Sequence, residues 1–209
     1  MSKILIVDDH EVLREGVKRV FDEQPDKATF GEASTVQEAL RLVREQDWDV
    51  VVLDISLGDR SGLEALKEMK HIRPRLPVLI LSMHSEEQFA RRAFKAGAAG
   101  YISKDSPRAE LLKAVNKVMS GGRYVSAAVA EKIIFDLDIG SGSPHATLSD
   151  REFEVLRLIA SGKTGGEIAG ILSLSESTIS TYRGRILEKM GMKTNAELTH
   201  YAIQNKVVM

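Results

Sequence analysis

Short apolar runs alternate with amphipathic segments through the first 120 residues of the chain. The clearest run is Val50–Leu53, which consists of three valines and a leucine and ends at Asp54. An unbroken apolar run rich in β-branched residues is typical of a strand covered on both faces. Similar runs begin at Lys3, Val78 and Gly100. Because amphipathic segments with helical spacing separate these runs, the pattern predicts strands alternating with helices, in a parallel, doubly wound sheet.

Helix start signals support this alternation. Thr35 and Glu38 have capping-box spacing, and Ser106 before Pro107 is typical of an N-cap followed by the first helical residue. The spacing of apolar residues also predicts helices over about 11–24 and roughly 86–96, with a further helix ending near His71.

The pattern changes after Gly121-Gly122. Tyr124-Val125 is predicted to be extended, and residues 127–137 are predicted to form a linker helix. The segment 138–144, rich in Gly and Ser, is predicted to be a flexible connector. These features place a linker at 121–145, between a first domain at 1–120 and a second at 146–209.

Four short helices are predicted in the second domain. The first opens at the capping box Ser149–Glu152, the third covers Glu176–Met190, and the fourth opens at Thr194. A tight turn at Ser173–Ser175 joins the second helix to the third, which favours a helix-turn-helix arrangement. By helix spacing alone, a small bundle that binds another protein is the favoured interpretation.

Composition limits the class of protein. The chain has 209 residues, a net charge of −1 and 43% hydrophobic residues, and it lacks cysteine, so a disulfide framework and a thiolate zinc site are excluded. No apolar run approaches the roughly 18 residues that a membrane span needs. The run Ile4–Val7 is cut off by two acids, which is not typical of a signal peptide, and a cytoplasmic protein is therefore expected.

Polar side chains follow the predicted strands where each strand ends. Asp8-Asp9, Asp54, Ser82 and Lys104 all occupy such positions, and the carboxyl ends of parallel strands share one edge of a sheet. Three carboxylates repel one another and call for a cation, and oxygen ligands with open positions suit Mg²⁺. A nucleophile, a metal, a lysine and a hydroxyl together indicate phosphoryl transfer. The simpler interpretation of Asp54 alone is that it only ends a strand.

This set, together with Tyr101, resembles the receiver domain of bacterial two-component response regulators. The resemblance implies a flavodoxin-like (βα)5 fold and phosphorylation of Asp54 by a sensor histidine kinase. It implies that Lys104 contacts the phosphate and that Ser82 donates a hydrogen bond to it. Tyr101 is then the switch residue, whose ring swings inward when Ser82 moves. The implied Mg²⁺ ligands are Asp8, Asp9, Asp54 and the backbone carbonyl of Ser56.

The second domain resembles the LuxR-type helix-turn-helix DNA-binding domain. The matching residues include Leu148-Ser149, Glu167-Ile168-Ala169, Thr178-Ile179 and Tyr182-Arg183. With its receiver, the chain resembles a NarL/FixJ-family response regulator, in which the third helix reads the major groove and the last helix pairs two domains. The resemblance implies double-stranded DNA as the ligand, a homodimer on phosphorylation, regulation of transcription, and RNA polymerase as a further partner.

The predicted DNA contacts are polar and basic residues in and before the third helix. They are Lys163, Thr164, Ser177, Thr178, Ser180, Thr181, Tyr182, Arg183, Arg185 and Lys189. At two positions where members of the family often carry lysine, this chain has Gly166 and Ser180. Residues 146–209 hold eight Lys/Arg and seven Asp/Glu, so the basic footprint expected of a DNA-binding domain is weak.

Two other functions are considered. An aspartyl phosphatase would need a second acid two residues after Asp54, and Ser56 stands there, so an enzyme is not expected. A phosphorylation-switched regulator whose second domain binds a protein is the alternative, supported by Gly165-Gly166 and the missing lysines. DNA affinity that is negligible even at low salt would favour it.

Overall fold

The computed structural model describes residues 2–21, 28–57, 60–83, 86–126, 130, 144–205 and 207–208. The chain divides into two compact units, Met1–Phe135 and Asp136–Met209. The predicted linker helix and connector lie outside the described residues, apart from Ala130 and Pro144. In these ranges we find no helix with the length and apolar character needed to cross a membrane.

The first unit alternates strands and helices. The strands in its described part are Lys3–Val7 (β1), Thr29–Ala33 (β2), Val50–Asp54 (β3), Ser56–Leu57 (β4), Arg60–Ser61 (β5), Val78–Ser82 (β6) and Gly100–Ser103 (β7). The helices are Glu11–Phe21 (α1), Val36–Glu45 (α2), Gly62–Ile72 (α3), Glu86–Lys95 (α4) and Arg108–Met119 (α5). Five strands form one parallel sheet in the order β2-β1-β3-β6-β7. Helix α1 packs with α5, and α3 packs with α2 and α4.

This order confirms the predicted flavodoxin-like, doubly wound sheet. Strand β3 is buried along its whole length, as the unbroken apolar run predicted. Register aligns the strand ends, because Asp54 pairs with Leu81 and Ser82 pairs with Ser103. The carboxyl ends of β3, β6 and β7 therefore reach the same edge of the sheet.

The described part of the second unit is all helical, as predicted. A 3-10 turn at Pro144–Thr147 precedes four helices, which are Asp150–Ala160 (α6), Gly165–Ile171 (α7), Glu176–Met190 (α8) and Asn195–Gln204 (α9). Ser149 forms the predicted capping box with Glu152, and the Thr194 side chain accepts a hydrogen bond from the N–H of Glu197. Gly191 ends α8 in the left-handed region, with φ of 66°.

Two local expectations differ from the structure. Helix α5 begins at Arg108, with Pro107 at the N-cap, one residue later than the Ser106–Pro107 signal predicted. The loop after β3 contains the antiparallel pair of β4 and β5, each two residues long, which is too short for a periodic pattern to reveal. The predicted end of the first helix, beyond Phe21, lies outside the described residues.

Candidate functional site

Lys104 lies between two buried carboxylates at the edge of the sheet. Its Nζ is 2.7 Å from Oδ2 of Asp8 and 2.7 Å from Oδ2 of Asp54. All three side chains are at most 4% exposed. Buried charges need partners, and this arrangement gives both acids a cation at hydrogen-bond distance.

A candidate metal site adjoins this pair. Ligand atoms of Asp8, Asp9, His10 and Asp54 all lie within 4.8 Å of one another, and Asp9 is exposed. Carboxylate oxygens with one side open to solvent suit Mg²⁺, which keeps several waters. The excess of carboxylates over the single ammonium of Lys104 adds an electrostatic reason for a cation there. The predicted carbonyl ligand is at Ser56, whose N–H donates to Oδ1 of Asp54 at 3.1 Å.

His10 was not predicted as part of this cluster. Its Nδ1 is 2.7 Å from Oδ1 of Asp9 and 3.2 Å from Oδ1 of Asp8. The sequence signal was its position directly after the two acids, which places its ring beside them once the strand ends.

The pKa values of Asp54 and Lys104 are both raised, and in each case burial and the neighbouring opposite charge act in opposite directions. Burial raises the pKa of the Asp54 carboxyl, and Asp8 adds to this, although the Lys104 charge opposes it. Burial alone would lower the pKa of Lys104, but the charges and hydrogen bonds of Asp54 and Asp8 outweigh it and raise that pKa. Lys104 therefore stays charged, and a second cation beside Asp54 would favour its ionised, nucleophilic form.

Ser82 and Tyr101, the two remaining predicted receiver residues, are buried in the neighbouring strands β6 and β7. Ser82, fully buried at the end of β6, accepts a hydrogen bond at its carbonyl from the N–H of Lys104 at 2.8 Å. Tyr101 is fully buried in β7. The main chain therefore links the lysine of the site to the strand that carries the hydroxyl.

Two further residues shape the site and were not predicted. Arg14 donates from Nη1 to the carbonyl of Asp8 at 2.8 Å and from Nε to Glu32 at 3.0 Å, which ties the acidic loop to β2. Gly62 opens α3 directly against β3, and a β-carbon there would lie 2.2 Å from the carbonyl oxygen of Asp54. Neither contact has a signal in the sequence pattern, because each depends on how the chain packs back against the end of a strand, which periodicity and capping do not reveal.

In the second unit, α8 carries most of the predicted DNA contacts. Its inner face is the buried set Ile179, Ile186 and Met190. Seven of the ten predicted residues are exposed and three are half-buried. The exposed ones are Lys163, Thr164, Ser177, Ser180, Thr181, Arg185 and Lys189, and the half-buried ones are Thr178, Tyr182 and Arg183. The outer face of α8 therefore offers hydroxyls and basic groups, which bind phosphates and base edges.

Local partners already hold two of these basic groups. The Nε of Arg183 donates to Oδ1 of Asn195 at 2.6 Å, and the Nζ of Lys189 lies 2.6 Å from Oε2 of Glu152. Glu152 is also the buried capping residue of α6, so Lys189 connects α8 to the start of that helix.

Thr164 has a structural partner as well, because it forms a capping box with Glu167 at the start of α7. The same spacing, visible in the sequence as Thr164-x-x-Glu167, would have predicted this helix start. Its backbone and side chain both contact the Glu167 carboxylate, at 2.8 and 2.9 Å.

Comparisons with known proteins match both units. The family profile of the response regulator receiver domain matches residues 4–116, and that of bacterial regulatory proteins of the luxR family matches residues 146–202. The response regulator UvrY of Escherichia coli (strain K12) is 33% identical over 207 residues, which cover 98% of this chain and 95% of UvrY.

Solved structures similar to this chain are also response regulators. The crystal structure of a LuxR-family two-component response regulator from Aurantimonas sp. SI85-9A1 is 37% identical, with a TM-score of 0.62, and covers 66% of this chain and 99% of its own. A structure of the Salmonella typhimurium RcsB response regulator, described for its interaction with DNA, is 25% identical, with a TM-score of 0.59. That match covers 98% of this chain and all of the RcsB chain.

Proposed function

The chain belongs to the NarL/FixJ family of two-component response regulators, and from this membership we propose that phosphorylation of Asp54 controls its binding to DNA. It is a regulator with a receiver domain and a LuxR-type DNA-binding domain, and not an enzyme. The observation that carries the proposal is the position of Lys104, 2.7 Å from both Asp8 and Asp54, at the carboxyl edge of the parallel sheet.

In the proposed reaction, a carboxylate oxygen of Asp54 attacks the phosphorus of a phosphohistidine on the sensor kinase. A P–O bond forms while the P–N bond breaks, and the leaving imidazole keeps the electron pair. Lys104 neutralises charge on the phosphoryl oxygens, because its ammonium already lies beside Asp54. Ser82, at the end of the neighbouring strand, then donates a hydrogen bond to the acyl phosphate.

Mg²⁺ is the proposed cofactor, held by Asp8, Asp9, Asp54 and the carbonyl of Ser56. Three carboxylates around one lysine support this, since they fit a hard cation that prefers oxygen ligands. The ion would supply positive charge that stabilises the transferring phosphoryl group. His10 contacts two of the carboxylates and would orient them.

We further propose that phosphorylation changes how Tyr101 packs and favours a homodimer bound to two half-sites. A domain with a weak basic footprint gains from such pairing, because linking two sites raises the effective concentration of the second. RNA polymerase is the partner expected once the dimer is on DNA. The exposed hydroxyl and basic groups on α8 favour DNA over a protein as the ligand of the second domain.

Phosphoryl uptake tests the acceptor directly. The purified protein is incubated with labelled acetyl phosphate and Mg²⁺, and we expect acid-stable, base-labile label on the wild type and none on Asp54→Asn. Asp105→Asn removes an exposed carboxylate close to Lys104 and is the matched control, expected to take up label normally. Label on Asp54→Asn at the wild-type level would assign the acceptor elsewhere.

A further inference from the structure

Tyr124 joins the start of the linker to the edge strand of the receiver. Its N–H donates to the carbonyl of Ala99 at 3.0 Å, and its carbonyl accepts from the N–H of Tyr101 at 3.0 Å. These bonds form a parallel bridge between Tyr124 and Gly100. The chain that leaves α5 therefore adds one residue of strand beside β7, next to the switch residue Tyr101.

The side chain of Tyr124 fixes this position. It is only 5% exposed, its hydroxyl donates to the carboxylate of Glu110 in α5, and the Nζ of Lys117 lies 6.0 Å from its ring centroid. A buried tyrosine with a satisfied hydroxyl is costly to move, because the apolar ring and the polar group both lose their partners.

Gly100 makes the close approach possible. A β-carbon at this position would lie 3.0 Å from the carbonyl oxygen of Tyr124, 3.2 Å from its Cβ and 2.7 Å from a methyl of Leu79. Alanine at position 100 would therefore crowd both the Leu79 methyl and Tyr124, and would strain the bridge between Tyr124 and the strand. By contrast, a β-carbon at Gly16 in α1 would meet nothing within 4 Å.

We propose that Tyr124, bridged to Ala99–Tyr101 and held by Glu110, is a latch through which phosphorylation of the receiver is transmitted to the linker. The inference rests on the proposed function, because the signal originates at Asp54. In the same ladder Ile80 pairs with Tyr101 and Ser82 pairs with Ser103, so a displacement of Ser82 acts on the strand that holds Tyr124. The latch is formed while Tyr101 is buried. In the phosphorylated form, the two backbone hydrogen bonds between Tyr124 and the segment Ala99–Tyr101 are more stable.

Amide hydrogen exchange of the full chain tests the latch, with beryllium fluoride and Mg²⁺ as the mimic of phosphorylated Asp54. We expect exchange of the amides of Tyr101 and Tyr124 to slow by about tenfold when the mimic is added, since both are donors in the bridge. Unchanged exchange at both amides, while the amides around Asp54 respond, would overturn the latch and leave the proposed function intact. A lack of response around Asp54 as well would count against the proposed function itself.

Variants test whether the latch carries the signal. Gly100→Ala is expected to keep phosphoryl uptake on Asp54 but to remove the gain in DNA affinity that beryllium fluoride produces. Glu110→Gln and Tyr124→Phe, which leave the backbone bridge sterically free, are expected to reduce this gain by a smaller factor. Gly16→Ala is the control and should respond as the wild type does. A wild-type gain in DNA affinity in the folded Tyr124→Phe and Glu110→Gln variants would contradict the proposal, whatever the stability of Gly100→Ala.

Discussion

At the scale of single residues, Lys104 and Arg14 stabilise the acidic edge of the sheet, Lys104 through its charge and Arg14 through a hydrogen bond to the backbone. Lys104 offsets part of the repulsion between Asp8 and Asp54, and Arg14 fixes the carbonyl of Asp8. Removing one partner of a buried ion pair leaves an uncompensated charge, which costs more than the pair itself contributes. Lys104 therefore holds the Asp54 carboxylate in place, and Arg14 holds the backbone at Asp8.

Gly62→Ala is expected to lower the free energy of unfolding of the receiver by about 1–3 kcal/mol, because its β-carbon would overlap the backbone at Asp54. Denaturant unfolding followed by the fluorescence of Trp48, the single tryptophan, measures this. Gly16→Ala is the matched control, and in the open site on α1 it should raise stability by about 0.5–1 kcal/mol. Equal effects of the two substitutions would contradict the role given to Gly62.

Arg183→Ala is expected to weaken binding to a duplex and to reduce the slope of log affinity against log salt by about 1, as loss of one phosphate contact does. Arg183→Lys keeps the charge and should keep the slope. Asn195→Ala should weaken binding in the wild type, because Arg183 loses the acceptor that orders it, and should change nothing in Arg183→Lys. Gln204→Ala removes an exposed amide on α9, the helix that also carries Asn195, and is the control for Asn195→Ala. A slope that Arg183→Ala leaves unchanged would remove Arg183 from the interface.

The site could be predicted from the sequence as far as strand ends determine it. Asp54, Ser82 and Lys104 share an edge because parallel strands place their carboxyl ends together, and a sequence pattern is enough to foresee this. The contacts of Arg14 and Gly62 could not be foreseen, since they depend on how the chain packs back against the strand ends and not on a periodic pattern. The ligand role of Ser56 and the DNA contacts on α8 stay predictions.

At the scale of elements, helix ends and strand runs were the most predictable features. The capping box at Ser149 predicted the N-cap of α6 correctly, and the apolar runs predicted strands β1, β3 and β6. The antiparallel pair of β4 and β5 was missed because two-residue strands carry no periodicity. The tie between Lys189 and Glu152 was missed because the two residues lie on different helices.

Glu152→Gln is expected to destabilise the second unit by about 1 kcal/mol at pH 7, the typical cost of a lost cap contact. Burial favours the neutral acid, but the Lys189 hydrogen bond and the Ser149 contacts outweigh it and lower the pKa of Glu152. A lowered pKa means that the stabilisation is present above the ordinary carboxyl pKa of about 4.3 and is lost as the pH falls below it. Thermal unfolding of both proteins, followed by helical circular dichroism, should therefore differ at pH 7 and converge below about pH 4.

Glu188→Gln removes an exposed carboxylate on α8 and is the control for Glu152→Gln. It should shift the unfolding temperature little at either pH, because surface charges contribute little to stability. A difference between Glu152→Gln and wild type that grows on acidification would contradict the sign given to the pKa shift of Glu152.

At the scale of the whole molecule, the first unit carries the acidic sheet edge with Asp54, and the second unit carries the helices of the luxR-type domain. Alternation predicted the parallel, doubly wound sheet of the first unit, and capping predicted helices of the second. The flavodoxin-like strand order was expected from the resemblance to receiver domains. The linker between them lies largely outside the described residues, so its helix and connector stay predictions.

Mg²⁺ is expected to stabilise the receiver selectively. A ligand that binds only the folded form adds about 2.7 kcal/mol at a concentration of one hundred times its dissociation constant. Trp48 lies in the first unit, so its fluorescence during denaturation reports this unit separately from the helical signal of the whole chain. Asp9→Asn should remove most of the gain, and an equal gain in Asp9→Asn and wild type would place the ion elsewhere.

The most direct test of the central claim is selection of fragmented host DNA by the full chain, with and without beryllium fluoride, alongside Asp54→Asn. We expect a two-fold repeated site to be enriched mainly by the treated wild type, and Asp54→Asn to show no response to the treatment. Equal enrichment of the same site with and without beryllium fluoride would contradict control by Asp54 while keeping DNA as the ligand. No enrichment under any condition would contradict DNA binding and favour a protein partner for the second domain.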